Sequence, residues 1–169
     1  IRRIYSAEDD YGNQALCVQF FVYADIPSVT VAPVIFLEAV MNPDNSSMSN
    51  VLGGWTPLTQ PYNIAPFNYA GTESLDEKPA GMIDWILLQL RDADNYNIVV
   101  SQRAAVLMSD GSVVDVDGVS PVDFGAIPGD IYHLTVVHRN HLDILSEFPI
   151  DLTSGFAAID FTLGGAIGN

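Results

Sequence analysis

The sequence predicts an all-β fold, an antiparallel β-sandwich of about eight or nine strands, immunoglobulin-like or jelly-roll-like, and three observations carry that prediction. Helical periodicity is absent along the whole chain, while short apolar runs recur between clusters of Gly, Pro, Asn, Asp and Ser. The run Met82–Asp92 places Ile86, Leu88 and Leu90 on one side of a period-two ladder and Trp85 and Leu87 on the other. Both faces then require cover, as in the middle strand of a packed sheet. With 49% hydrophobic residues, a chain of 169 has enough for one well-cored domain and too little length for two.

Residues 1–13 carry Arg2, Arg3, Glu8, Asp9 and Asp10 without apolar periodicity and read as an exposed arm whose order would need a partner. Residues 14–24 follow as a long strand with Leu16, Val18, Phe20 and Val22 in one apolar row, and Pro27 ends it. Residues 1–30 are thus an N-terminal arm and strand, and 31–169 the sandwich domain. A second strand spans 30–40 around Val34, Phe36 and Glu38, and the Asn, Pro, Asp and Ser cluster at 42–47 is a turn. Between 48 and 79 the apolar residues keep no period, which predicts a long excursion across the sheet surface. Residues 96–108 form a strand bent near Arg103, Asp110 and Gly111 close a type I′ hairpin, and 113–117 is the return strand. A further strand covers 131–139 with Tyr132, Leu134 and Val136 facing one way, and two short strands lie near Ile150 and Ile159.

Six Lys and Arg against 21 Asp and Glu give a net charge of -15, a field that repels phosphate backbones and anionic lipid surfaces. Nucleic acid is therefore not an expected partner, and no apolar run approaches the roughly 18 residues that would insert across a bilayer. Arg91, Arg103 and Arg139 fall inside strand-like runs, where a guanidinium is expected to be buried and tied to a carboxylate; Asp84 and Asp92 are the candidate partners of Arg139. Cys17 has no partner for an intrachain disulfide and, between Leu16 and Val18, reads as a buried, inert thiol. The chain begins at Ile rather than Met, which fits a processed protein exported to the cell surface or beyond.

Four groups of residues are candidates for a site. Asp110, Asp115, Asp117 and Asp123 have oxygen-ligand spacing that a hard cation such as calcium uses, although Asp-Gly is also how tight turns are written. His138-Arg139-Asn140-His141 brings two imidazoles three residues apart; with no Cys and no third His nearby to complete a zinc set, the box reads as structural. Trp55, Tyr62, Phe67 and Tyr69 in the long excursion either stack on sugar rings, with Asn63 and Asn68 as polar partners, or pin the excursion to the sheet. The row Leu16, Val18, Phe20, Val22 contains no lysine or proline gatekeeper and would complete the sheet of a neighbouring copy as a donated strand. No nucleophile elbow or phosphate loop is present, so an enzyme is not expected and no cofactor is needed beyond that calcium.

The series Leu37-Glu38, Leu58-Thr59-Gln60-Pro61-Tyr62, Asp84-Trp85 through Leu90-Arg91-Asp92, Asp110-Gly111 with Asp117-Gly118, and His138-Arg139-Asn140-His141-Leu142 resembles a module seen near the C-termini of large secreted proteins of Bacteroidota-like bacteria. The resemblance covers roughly residues 33 to 162 and implies an extracellular, non-catalytic accessory module; residues 1–30 stand ahead of it. The expected function is a secreted structural or adhesive subunit that polymerises with itself, head to tail, into a surface filament by strand exchange. A module that binds extracellular polysaccharide is the alternative, and a glycan-acting hydrolase the third reading.

Overall fold

The computed structural model describes residues 2–20, 26–44, 46–51 and 53–168. Among them, strands β1 (Arg2–Glu8) and β2 (Gln14–Phe20) make a two-stranded sheet. Strands β3 (Ser28–Val34), β7 (Val122–Ala126) and β11 (Phe156–Asp160) make a second, in the order β11-β3-β7. The third sheet has seven strands: β4 (Met82–Asp92), β5 (Val99–Met108), β6 (Val113–Val114), β8 (Ile131–Val137), β9 (Ile144–Ser146), β10 (Ile150–Asp151) and β12 (Ala166–Gly168). Its order is β12-β9-β8-β4-β5-β6, with β10 also on β8. The all-β sandwich is thus the fold, with four strands beyond those expected: β1, β9 and β12, which lie in stretches without a long apolar row, and the short β7.

Strand β4 sits in the middle of the large sheet between β5 and β8, and its two faces feed two different cores. Ile86, Leu88 and Leu90 pack between the sheets with Val29 and Val31 of β3, Val122 and Phe124 of β7, and Leu134 and Val136 of β8. Trp85 and Leu87 point the other way and pack with Tyr62, Tyr69 and Leu75 of the 48–79 excursion. The excursion therefore acts as the third layer over the outer face, which is why a strand in a two-sheet sandwich is greasy on both sides.

That excursion is ordered by its own backbone. Leu75 N–H donates to Leu58 O at 2.8 Å, Gln60 N–H to Glu73 O at 3.1 Å, and Tyr69 N–H to Tyr62 O at 2.8 Å. Two side chains anchor it to β4: Trp85 Nε1 donates to Pro57 O at 2.8 Å and Tyr62 Oη to Trp85 O at 2.7 Å. Every polar tip of the buried aromatics is thereby satisfied.

Several local expectations are corrected. Residues 2–8 form a strand that pairs with β2 over all seven positions, Arg2 with Phe20 through Glu8 with Gln14. Its turn is written by Asp9, whose Oδ1 accepts the N–H groups of Tyr11 and Asn13, each at 2.9 Å, and by Gly12 at φ +81°. The strand expected over 30–40 ends at Val34 because Glu38–Val40 takes a single 3-10 turn. β5 has no bulge near Arg103; its extra residue is Val100, where Leu90 and Arg91 pair with Ser101 and Val99, and β4 has one at Ile83, where Met82 and Asp84 pair with Met108 and Leu107. The Asp110-Gly111 hairpin is not type I′, since only Gly111 has positive φ (+88°). Gly111 N–H and Met108 N–H donate to Met108 O and Ser112 O, a three-residue loop ending in a left-handed glycine. The sheets are not antiparallel throughout, as β11 runs parallel to β3, Phe156 opposite Thr30. Cys17 is exposed, because β2 has no second layer against it.

Candidate functional site

The N-terminal hairpin is the most unusual element of the molecule. Every residue from Arg3 to Gln19 is exposed, Leu16 to 72%, Ile4 to 55% and Val18 to 41%, and among the described residues β1 and β2 hydrogen-bond as strands to each other and to no third strand. Leu16 and Val18 thus lie exposed on one face of β2, while Val22 and the Phe20 side chain fall outside the described residues. A two-stranded ribbon with no third strand beside it is of marginal stability in water.

The His138 box is built where β8 ends. The chain turns after Val137, with His141 N–H donating to His138 O at 3.3 Å, so both imidazoles point to one side rather than to opposite faces of a strand. His138 Nε2 lies 3.3 Å from Asp84 Oδ2, and His138 Nδ1 lies 2.8 Å from His141 Nδ1. Asn140 N–H donates to His138 Nδ1 at 3.3 Å, so that nitrogen accepts; the consistent pattern is Nε2–H of His138 donating to Asp84 and Nδ1–H of His141 donating to His138. Arg139 Nη2 donates to Asp84 Oδ1 at 2.8 Å, which is the register tie expected from the sequence, with Asp84 rather than Asp92 as partner.

Burial pushes the Asp84 carboxyl up, but hydrogen bonds from His138, Arg139 and the Trp85 N–H outweigh it and hold it below the usual carboxylate range. Burial lowers His141, and the neighbouring His138 lowers it further. Burial also raises Asp143 close by. A hollow of about 250 Å³ opens beside this group, walled by Leu37, Val40 and Ile83. The hydrogen bonds around the two imidazoles run to Asp84, Asn140 and one another, a chain of contacts from Asp84 through His138 to His141.

The arginine expectations divide. Arg103 is a tie: Nη2 donates to Asp115 Oδ1 at 2.7 Å and Nη1 lies 3.4 Å from Glu73. It is 31% exposed, so it is less buried than its strand position suggests. Arg139 is likewise exposed by 31%, since it lies beyond the end of β8. Among the described residues Arg91 forms no ion pair with a carboxylate; it donates to Gln89 Oε1 and Tyr96 O, neighbours along its own stretch of chain. Asp92 caps its own turn, accepting Asp94 N–H and Asn95 N–H.

Three of the four clustered aspartates, Asp115, Asp117 and Asp123, line one open hollow, while the carboxylates are taken up by local hydrogen bonds. Asp110 accepts from Ser112, Asp117 from Val119 and Ser120, and Asp123 from Ser28 and Gly125, each within its own turn or strand end. Asp115 takes Arg103 together with the N–H groups of Val116 and Asp123, clamping β6 to β7. Among the described residues no three His, Cys, Asp or Glu side chains are placed to hold a metal ion. That hollow, about 430 Å³ and wide open, has Arg103 and Ser120 in its wall beside Asp115, Asp117 and Asp123.

The aromatic set splits as well. Tyr62 and Tyr69 are buried, and the half-buried Phe67 packs edge-on against Tyr62 at 5.0 Å, so these three pin the excursion to the sheet. Tyr69 Oη donates to Glu73 Oε1 at 2.5 Å, and burial raises its pKa. Trp55 alone is open, at 88% exposure. The sequence missed the hairpin turn at Asp9 and the Glu73 link to Arg103; the Asp-x-x-Gly-Asn spacing carried a signal for the first, whereas the second spans two distant segments and carried none. Comparison with protein-family models, with curated proteins and with solved structures found no match to this chain.

Proposed function

We propose that this protein is a non-enzymatic, extracellular structural or adhesive subunit that assembles with copies of itself through its N-terminal hairpin. The observation that carries the reading is the free-standing β1–β2 ribbon with Ile4, Leu16 and Val18 in solvent, beside a sandwich whose own cores are complete without it. The location outside the cell rests on the resemblance to a secreted accessory module. The polysaccharide reading retains a single open ring, Trp55, which by itself forms no stacking platform.

Sedimentation of the full chain beside a variant lacking residues 2–20 tests the assembly. The full chain should be oligomeric at micromolar concentration, and the variant a folded monomer. A full chain that stays monomeric across concentration, salt and pH refutes the proposal.

A further inference from the structure

The hairpin presents one edge that no strand among the described residues pairs with. Asp9 N–H donates to Asn13 O at 3.0 Å, and antiparallel alternation from there makes Ala7–Ala15, Tyr5–Cys17 and Arg3–Gln19 the hydrogen-bonded pairs. The N–H and C=O groups of Gln14, Leu16 and Val18 therefore point outward along the free edge of β2. Residues 11–24 contain no charged side chain, no lysine and no proline, the devices that keep an edge strand from pairing. β1 is different: it begins with Arg2 and Arg3 and ends with Glu8.

We propose that β2 pairs with β2 of a second copy, antiparallel, about a two-fold axis at Cys17, giving a four-stranded sheet in the order β1-β2-β2-β1. This rests on the self-assembly reading above and specifies its contact. Three observations select a second copy as the occupant. Two strands are too few for a stable sheet, and four with an apolar face suffice. Residues 2–20 hold Arg2 and Arg3 against Glu8, Asp9 and Asp10, a sum of -1, which leaves -14 of the total -15 on the remainder. The hairpin is thus the region where two such acidic molecules can meet with least repulsion. It is also polar in charge, arginines at its open end and carboxylates at its turn, and the two-fold arrangement brings the turn of each hairpin to the open end of the other.

The pairing rule is numerical: residues whose numbers sum to 34 face each other, Cys17 with its own copy, Leu16 with Val18, Ala15 with Gln19. Head-to-tail addition onto another copy's sandwich would instead set Glu8, Asp9 and Asp10 against the acidic body. It would also leave Cys17 without its symmetric neighbour.

Cys17 makes the test direct. Copper-phenanthroline oxidation of the full chain should give a disulfide-linked dimer. In a Cys17→Ser background, Ala15→Cys and Gln19→Cys should each cross-link poorly alone, because each would lie ~13 Å along the strand from its own copy. Mixed together they should cross-link to one another at least about fivefold more, being within the ~7 Å reach of a disulfide. Since residues 15, 17 and 19 are exposed, these variants keep the sandwich intact. A monomer in sedimentation overturns both the assembly and this contact. An oligomer that cross-links at neither 17 nor the 15/19 pair overturns the contact alone, and species larger than the dimer that lack the Cys17 link assign the head-to-tail mode instead.

Discussion

Tyr62 is where the excursion is fastened to the sheet, and its replacement measures how much of the stability that third layer supplies. The ring is fully buried, packs against Phe67, and its hydroxyl donates to Trp85 O at 2.7 Å on the central strand. Tyr62→Phe keeps the packing and removes one buried hydrogen bond, a loss of about 1 to 2 kcal/mol. Tyr62→Ala adds an aromatic-sized cavity between β4 and the excursion, for a total of about 3 to 5 kcal/mol. Urea unfolding reads both, and each kcal/mol should lower the melting temperature by about 3 °C in a chain of this size. Trp55→Ala is the internal control: at 88% exposure it should change stability by less than about 0.5 kcal/mol. A Tyr62→Ala protein within about 1 kcal/mol of wild type would show that the excursion is a loop lying on the sheet rather than a layer of the core.

Removing the arginines should separate them. Arg103→Ala strands Asp115 and Glu73 and should cost about 2 to 3 kcal/mol, less than a fully buried pair because the guanidinium is 31% exposed, whereas Arg91→Ala should cost below about 1 kcal/mol; equal values by thermal unfolding would contradict the assigned partners. His141 sits below its ordinary pKa of 6.5, so the unfolded chain takes up that proton first and stability should fall as pH drops through 6.5. Chemical unfolding between pH 8 and 5.5 should show the fall in wild type and a smaller one in His141→Asn, and identical profiles would refute the burial of that ring. Asp84, held below 3.8, contributes stability above that value and should lose it under stronger acid. Gly111→Ala should cost at least about 2 kcal/mol, combining a positive φ with a Cβ placed 2.8 Å from Phe36 and 2.9 Å from Ile35 O. Gly12→Ala, with nothing near its Cβ, should leave the sandwich's melting temperature unchanged.

Alternation along each strand carried the reading of the fold. Met82–Asp92 announced a central strand covered on both sides, because a period-two ladder with apolar residues on both faces has no stable place except between two layers, and the structure supplies them as the β3–β7 sheet and the excursion. The same local logic found Tyr132, Leu134 and Val136 on one face and the tie from Arg139 to Asp84. It failed where the deciding partner is far along the chain. That β11 lies parallel to β3 and that Arg103 spans Asp115 and Glu73 depend on contacts between segments, to which local patterning is blind. Composition and alternation by themselves determined a β-sandwich with an apolar strand near its N-terminus. Only the tertiary structure decided that this strand folds with the polar arm into a hairpin outside both cores, since whether an apolar row is buried depends on which surfaces the rest of the chain has already covered.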